Sequence, residues 1–342
     1  MTSSLDSALL KLANQTSLSP EEMTGAMEFI VSGHATDADI ERFLILFREK
    51  GETAVEITAG ARVMRSHALK LSKNYVGLLD TCGTGGDGSH TLNVSTLSAF
   101  VACAAGVKVA KHGNRSVSSV SGSADLCELL GVPIDLPVHA IENAIENVGF
   151  AFLFAPTFHP AMRFAMAARK KIQGKTIFNI LGPLSNPAQV DYQVVGVYDG
   201  KLVDIVAQAL LELGVKAALV VHGADGLDEI SISDKTSVVE LKDGRLKKYE
   251  ISPRDYGIQK ASSNTLKCKS KEEYKQMALE VLKGGKGPAH DMVSLNAAAA
   301  LYIAGKTNSI AEGFKTTKKL LKQDVVRKKL DEIISFSKRM AT

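Results

Sequence analysis

The rhythm of hydrophobic positions along the chain changes near Tyr75. Before it, apolar residues fall in short helical segments with clear start and stop signals. In SLSPEEM, Ser19 is placed to cap a helix, Pro20 suits its first turn, and Glu22, three residues after Ser19, completes a capping box. Gly33 stops that helix. A second follows in TDADIERFLILFREKG, with Thr36 and Asp39 in capping positions and Gly51 at the end, and a third runs from Thr53 and Glu56 through RVMRSHA. This pattern predicts a small helical unit over residues 1–72, joined by helices near 161–185.

After Tyr75 apolar strand-like runs alternate with helical stretches: VGLLDTC, VKVAK, FAFLF, TIFNIL, VDYQVVGVYD and AALVVHG. Each parallel crossover needs a helix to return the chain, so the alternation predicts an α/β domain over 73–342. Its sheet is expected to be central, largely parallel and flanked by helices, with ligands at the carboxyl ends of the strands. SVVEL and RLKKYEI flank Asp243 and Gly244, which predicts a hairpin. The chain closes on helices, notably Asp291 to Ala304. No internal repeat or low-complexity tract interrupts this order.

Composition narrows the picture. With 342 residues, 45% hydrophobic and 23% charged, the chain has enough apolar material for a large core and is not a disordered sequence. The apolar stretch from Leu97 to Ala110 is broken by Ser98, Gly106 and Lys108, short of the roughly 20 residues a membrane helix needs. The opening MTSSLDSALLKLANQ lacks the features of a secretory signal, so a cytoplasmic protein is expected, with no membrane partner. Cys82, Cys103, Cys127 and Cys268 form no CxxC pair and read as reduced core thiols. The formal charge is +4, and the Lys-rich stretches of the last quarter read as solvated helix faces rather than a nucleic-acid site.

Three segments carry the chemistry. In DTCGTGGDGSHTLNVSTLSAF an apolar strand ending at Leu79 leads into a glycine-rich loop and then a helix beginning near Ser95. Glycines let backbone amides approach an anion, and the helix N-terminus adds partial positive charge, so this is a phosphate cradle. It is neither a Walker loop nor GxGxxG. Asp87, Thr91, Asn93, Ser95 and Thr96 add groups suited to phosphate, ribose or a hydrated metal. In KHGNRSVSSVSGSAD, Lys111 and Arg115 stand among five serines and two glycines, a second phosphate cradle. A donor with phosphates at both ends needs two. His112 can be read as a general base or as a structural hydrogen-bonding group. In VVHGADGLDEIS a strand ends in Asp225, Asp228 and Glu229, hard oxygen ligands suited to magnesium (Mg2+) bridging to substrate phosphates. His222 beside them has no zinc-like spacing to other ligands.

Seven ordered blocks, GTGGD, NVST, KHGNRSVSS, SGSAD, FAPTFHPAM, IFNILGPLSNPA and HGADGLDEIS, together with GHATDADIERFLILFREKGET, resemble the anthranilate phosphoribosyltransferase family of tryptophan biosynthesis across nearly the whole chain. The resemblance implies a helical domain, a larger α/β domain and a homodimer formed through the former. It implies PRPP and anthranilate as substrates and magnesium as the metal. Gly83, Gly86, Asp87, Thr91, Asn93, Val94, Ser95 and Thr96 match the family's PRPP-binding positions. Lys111, His112, Gly113, Asn114, Arg115, Ser116, Val117, Ser118, Ser119 and Ser123 extend that site. Gly83, Asn114 and Arg169 match anthranilate-binding positions, and Ser95, Asp228 and Glu229 match the metal site. No certain catalytic residue is implied, since an aromatic amine is unprotonated at neutral pH; Lys111 is expected to act electrostatically. Two other readings stand beside this one. A pyrimidine nucleoside phosphorylase would use one phosphate and leave the DGLDE carboxylates without a purpose, and a nucleic-acid-binding relative would have no need of the donor, metal and acceptor positions.

Overall fold

Hydroxyl side chains start the N-terminal helices, at Ser19, Thr36 and Thr53 where the sequence placed them and at Ser3 in addition. The computed structural model describes residues 3–116, 121–172 and 174–341. Helices α1 (Ser4–Ala13), α2 (Pro20–Val31), α3 (Asp37–Lys50) and α4 (Ala54–Ser66) lead the chain. Ser3, Ser19, Thr36 and Thr53 each accept the backbone N–H three residues on, caps worth about 1 kcal/mol apiece. Glu56 goes further than capping. Fully buried, it accepts from the Thr53 N–H and hydroxyl, the Leu18 N–H and the Lys50 ammonium at 2.7 Å, which fastens α3, α4 and the α1–α2 connection together.

The α/β part runs β1 (Leu78–Gly83), α5 (Val94–Ala104), β2 (Lys108–Gly113), α6 (Ser123–Leu130), α7 (Val138–Asn147) and β3 (Phe150–Phe154). Then come α8 (Ala155–Phe158), α9 (Arg163–Lys171), α10 (Ile177–Leu184), β4 (Tyr192–Gly196), α11 (Leu202–Glu212) and β5 (Ala217–Gly223). The expected hairpin forms β6 (Thr236–Lys242) and β7 (Arg245–Ile251), and α12 (Lys271–Leu282), α13 (Pro288–Ile303), α14 (Ile310–Lys322) and α15 (Val325–Met340) close the chain. Asp243 and Gly244 both have positive φ, 51° and 70°, the twist a two-residue hairpin turn needs. The seven strands lie in the order β3-β2-β1-β4-β5-β6-β7; the first five are parallel and the hairpin adds two antiparallel strands at the edge.

Two sequence expectations are corrected. TIFNIL is not a strand but most of α10, where Asn179 Oδ1 accepts the Thr176 N–H at the start and the apolar residues are buried. A short apolar run has no period that separates a strand from a buried helix. The strand expected to end at Leu79 continues to Gly83, because its polar residues find partners inside the fold. The Thr81 hydroxyl donates to the Ser95 carbonyl, and buried Asp80 accepts from Asn186 Nδ2 and the His112 N–H.

Alternate strand residues feed two cores, as the pleat requires. Val194, Leu219 and Val221 pack on the side of α5 and α13, while Val195, Ala218 and Val220 pack on the other. That second core is continuous with α1–α4, α9, α10 and α11, so the N-terminal helices and the far face of the sheet share one apolar interior. Among the described residues no helix is long and apolar enough to cross a membrane.

Candidate active site

The chain leaves β1 for β2 and β3 on one side, then returns to place β4 and β5 on the other. In open parallel sheets, the crevice at such a reversal, above the carboxyl ends of the strands, is where ligands bind. Gly83 of β1 and Gly196 of β4 face each other there in register. A side chain on Gly196 would overlap the Asp228 backbone carbonyl, and one on Gly83 would strike the Asp228 carboxylate. The strand ends are bare so that the loop after β5 can lie directly on them.

That loop is held from three directions. Asp228 Oδ2 accepts the Gly85 N–H at 2.8 Å, Glu229 Oε1 accepts the Ser95 N–H at 2.9 Å in the first turn of α5, and Asn296 of α13 bonds both the N–H and the carbonyl of Ile230 at 2.9 Å. Burial raises the Asp228 carboxyl out of the usual range, and the neighbouring Asp87 raises it further. Glu229 is raised by burial and then by Asp228. Asp87, not Asp225, is therefore the companion of the pair: Asp225 turns away to accept the Ser231 hydroxyl at 2.7 Å, and His222 Nδ1 lies 2.8 Å from the Val197 carbonyl. Half-buried carboxylates that repel one another call for a cation. Among the described residues no three acidic, histidine or cysteine groups converge to enclose a metal alone. The donor set suits an ion such as magnesium, which keeps waters and substrate phosphate oxygens in its shell.

The glycine-rich loop is anchored at its base. Thr84 donates its N–H to the Gly196 carbonyl at 2.9 Å and accepts the Tyr198 N–H on its hydroxyl at 3.1 Å, while Asn179 Nδ2 reaches the Thr84 carbonyl at 3.4 Å. Further along, Asp87 accepts the Ser89 N–H, the Ser89 and Thr91 hydroxyls pair at 3.0 Å, and Thr91 bridges to Lys267. Asn93 donates its N–H to Tyr274 Oη and its side-chain amide to the Ser121 carbonyl. Val94 and Thr96 are buried at the start of α5, and the Thr96 hydroxyl has no partner.

The second loop differs from a simple ring of cations. Lys111 is buried in β2 and donates to the Thr81 carbonyl beneath the site. Near it Asp80, pushed up to about 6 by burial and drawn down by Lys111, is held by Asn186. Arg115 is taken by Glu128, with Nη2 to Oε1 at 2.8 Å, and by Asp125 at 3.2 Å. Asp125 also accepts the Ser116 and Gly122 N–H groups, and Ser123 Oγ pairs with the backbone of Asn114, next to Gly113. Val117, Ser118 and Ser119 lie outside the described residues.

His112 packs its ring 5.1 Å from that of His159, after β3. Burial lowers His112 to about 3 and His159 to about 4, so both are neutral imidazoles, and His112 is a poor base. His112 Nε2 and both ring nitrogens of His159 lack hydrogen-bond partners. An unfolded chain takes up these protons below the ordinary value of 6.5, whereas the folded chain refuses them until about 4 or 3. Their stabilisation is thus complete above 6.5 and lost as pH falls toward 4. His159→Phe should remove about 2 kcal/mol of the stability loss between about pH 6.5 and pH 5. Thermal unfolding across that range is the check, and an undiminished loss would contradict this account.

Arg169, on α9, is half-buried with its guanidinium 5.2 Å from the Phe178 ring centre and no carboxylate partner among the described residues. Phe178 adjoins Asn179, which reaches the glycine-rich loop. Asp80, Asn179, Asn186, His159, Tyr274 and Asn296 were not singled out from sequence, although Asn179 and Asn186 lie within IFNILGPLSNPA.

The helical bundle beside a sheet whose switch point carries a glycine-rich loop and paired carboxylates belongs to a glycosyl transferase class. Residues 76–324 match the glycosyl transferase family a/b domain, and residues 6–68 match its helical bundle domain. An anthranilate phosphoribosyltransferase of Petrotoga mobilis is 47% identical over 329 residues, 96% of each chain. The anthranilate phosphoribosyltransferase structure from Thermus thermophilus is 41% identical with a TM-score of 0.91, over 97% of this chain and 99% of that one. The Saccharomyces cerevisiae enzyme in complex with PRPP and Mg is 26% identical with a TM-score of 0.88, over 98% of both. The chain belongs to the anthranilate phosphoribosyltransferase family.

Proposed function

We propose that this enzyme transfers the 5-phosphoribosyl group of PRPP to the amine of anthranilate, releasing pyrophosphate, in tryptophan biosynthesis. The observation that carries the reading is the Asp228–Glu229 pair, locked over the bare ends of β1 and β4 and bonded to the glycine-rich loop and the first turn of α5. In this reading Gly83, Gly86, Asp87, Thr91 and Asn93 to Thr96 receive the donor, with Lys111 to Ser119 and Ser123 completing its site. Ser95, Asp228 and Glu229 hold magnesium, which when bound supplies positive charge to the donor's pyrophosphate. Asn114, Gly83 and Arg169 receive anthranilate.

The amine nitrogen forms a bond to the ribose C1 while the C1–O bond to pyrophosphate breaks, the electron pair leaving with pyrophosphate. The proton released from nitrogen passes to pyrophosphate or water, so the chain needs no general base, in keeping with the low pKa of His112. The residues supply position and charge. Glycine-loop amides and the α5 N-terminus favour the anionic donor, and Lys111 offers positive charge from beneath the strand.

Arg169 meets the anthranilate carboxylate; its guanidinium lies over the Phe178 ring and has no carboxylate partner among the described residues. Arg169→Ala should raise the anthranilate KM by about tenfold to hundredfold, the range for a charge-assisted bond, with little change in the PRPP KM. An unchanged anthranilate KM would remove Arg169 from the acceptor site. Family resemblance also supports a cytoplasmic homodimer, which light scattering can test. The activity is tested by the fluorescence of phosphoribosylanthranilate formed from PRPP and anthranilate, with magnesium and with EDTA. Turnover in magnesium that EDTA abolishes is expected; a folded protein with none in either condition overturns the reading.

A further inference from the structure

The donor's pyrophosphate carries several negative charges into a crevice already holding Asp87, Asp228 and Glu229, and the two cations of the second loop are engaged elsewhere. Lys111 donates to the Thr81 carbonyl within the sheet, and Arg115 is held by Glu128 and Asp125. A third cation reaches the glycine-rich loop from another part of the chain. Lys175 lies in the connection between α9 and α10, and its stem crosses Gly86, with Cε 3.3 Å from where a Gly86 side chain would begin. Its ammonium rests 3.7 Å from the centre of the Tyr198 ring and has no carboxylate partner among the described residues. Tyr198 is itself bonded through its N–H to Thr84, so the resting place of the ammonium is tied to the base of the same loop.

We propose that Lys175 is a further donor-binding residue, whose ammonium leaves the Tyr198 ring to contact the pyrophosphate group seated at Gly86 and Asp87. A cation on an aromatic face is held less firmly than a charge-assisted bond to phosphate would hold it, so the exchange runs toward the anion. Glycine at 86 leaves the stem its path across the loop, with φ of +73°. Because Lys175 lies between α9 and α10, which pack on the N-terminal helices, the contact links those helices to occupancy of the donor site.

This inference rests on the donor reading, and the experiment separates the two. Magnesium pyrophosphate is titrated calorimetrically into wild-type protein and into Lys175→Met, which keeps the stem but removes the charge. Binding about tenfold weaker in Lys175→Met, largely restored in Lys175→Arg, is expected, with a similar rise in the PRPP KM and an anthranilate KM within about twofold of wild type. Equal affinity in wild type and Lys175→Met, with loss only in Lys175→Ala, would reduce Lys175 to a packing stem and overturn the proposal. Wild-type protein that fails to bind magnesium pyrophosphate would instead defeat the donor reading. Should Lys175→Met unfold early in a thermal scan, Lys175→Gln provides the same comparison.

Discussion

Gly196→Ala should abolish at least about 99% of turnover, because misplacing a catalytic group by about 1 Å can cost hundredfold. The added methyl would occupy the space of the Asp228 backbone carbonyl, which cannot rotate aside as a side-chain tip can. The loop must lift, withdrawing Asp228 from the Gly85 N–H and Glu229 from the Ser95 N–H together. Overpacking of this kind also costs about 1–3 kcal/mol of stability. Gly83→Ala meets the Asp228 carboxylate rather than its backbone, so the milder loss is expected there. Steady-state rates and thermal unfolding of both variants decide the matter; equal, near-native activity in the two would mean the loop is not seated on the strand ends.

Asp228→Asn separates activity from stability in opposite directions. Asparagine can still accept the Gly85 N–H but removes a half-buried negative charge beside Asp87 and Glu229. Since the folded Asp228 holds its proton more tightly than the unfolded chain does, stability declines as pH rises through its raised pKa. The asparagine variant should therefore melt higher near neutral pH and show a flatter decline between about pH 4 and pH 7. Its magnesium-dependent turnover should fall by about 100-fold to 1,000-fold, the scale on which an electrostatic group at a reacting centre acts. Lower stability together with lost activity would point to disruption of the loop instead of removal of charge. The trade is a common one at sites that gather like charges.

Sequence legibility followed the range of the forces involved. Ser19, Thr36 and Thr53 announce their helices because capping acts over three residues, and Asp243-Gly244 announces the hairpin for the same reason. The three chemistry-bearing loops were also visible, since glycines and clustered polar residues interrupt apolar runs. What required the fold was every relation across the sheet. Asp80 looked like the first residue of a loop, because its partner Asn186 lies far along the chain. Asp225 looked equivalent to Asp228 until the Ser231 hydroxyl turned it aside and Asp87 came in from the glycine-rich loop after β1. Lys111 and Arg115 read as two available cations, whereas their partners Thr81 and Glu128 determine where the charges point. The α10 segment was misread because its apolar run has no exposed face to reveal a helical period.

The shared core beneath the sheet also has a consequence for the order of synthesis. The apolar sides of α2, α3 and α4 are covered by Ala165, Ala168, Phe178 and Leu181, which reach the fold only after β1, β2 and β3 have been made. While the ribosome is still making those strands, the first helices can meet one another but not their cover. The N-terminal unit is therefore finished late, when α9 and α10 have cleared the exit tunnel, and the nascent chain must keep Met27, Phe43 and Met64 from unwanted contacts until then.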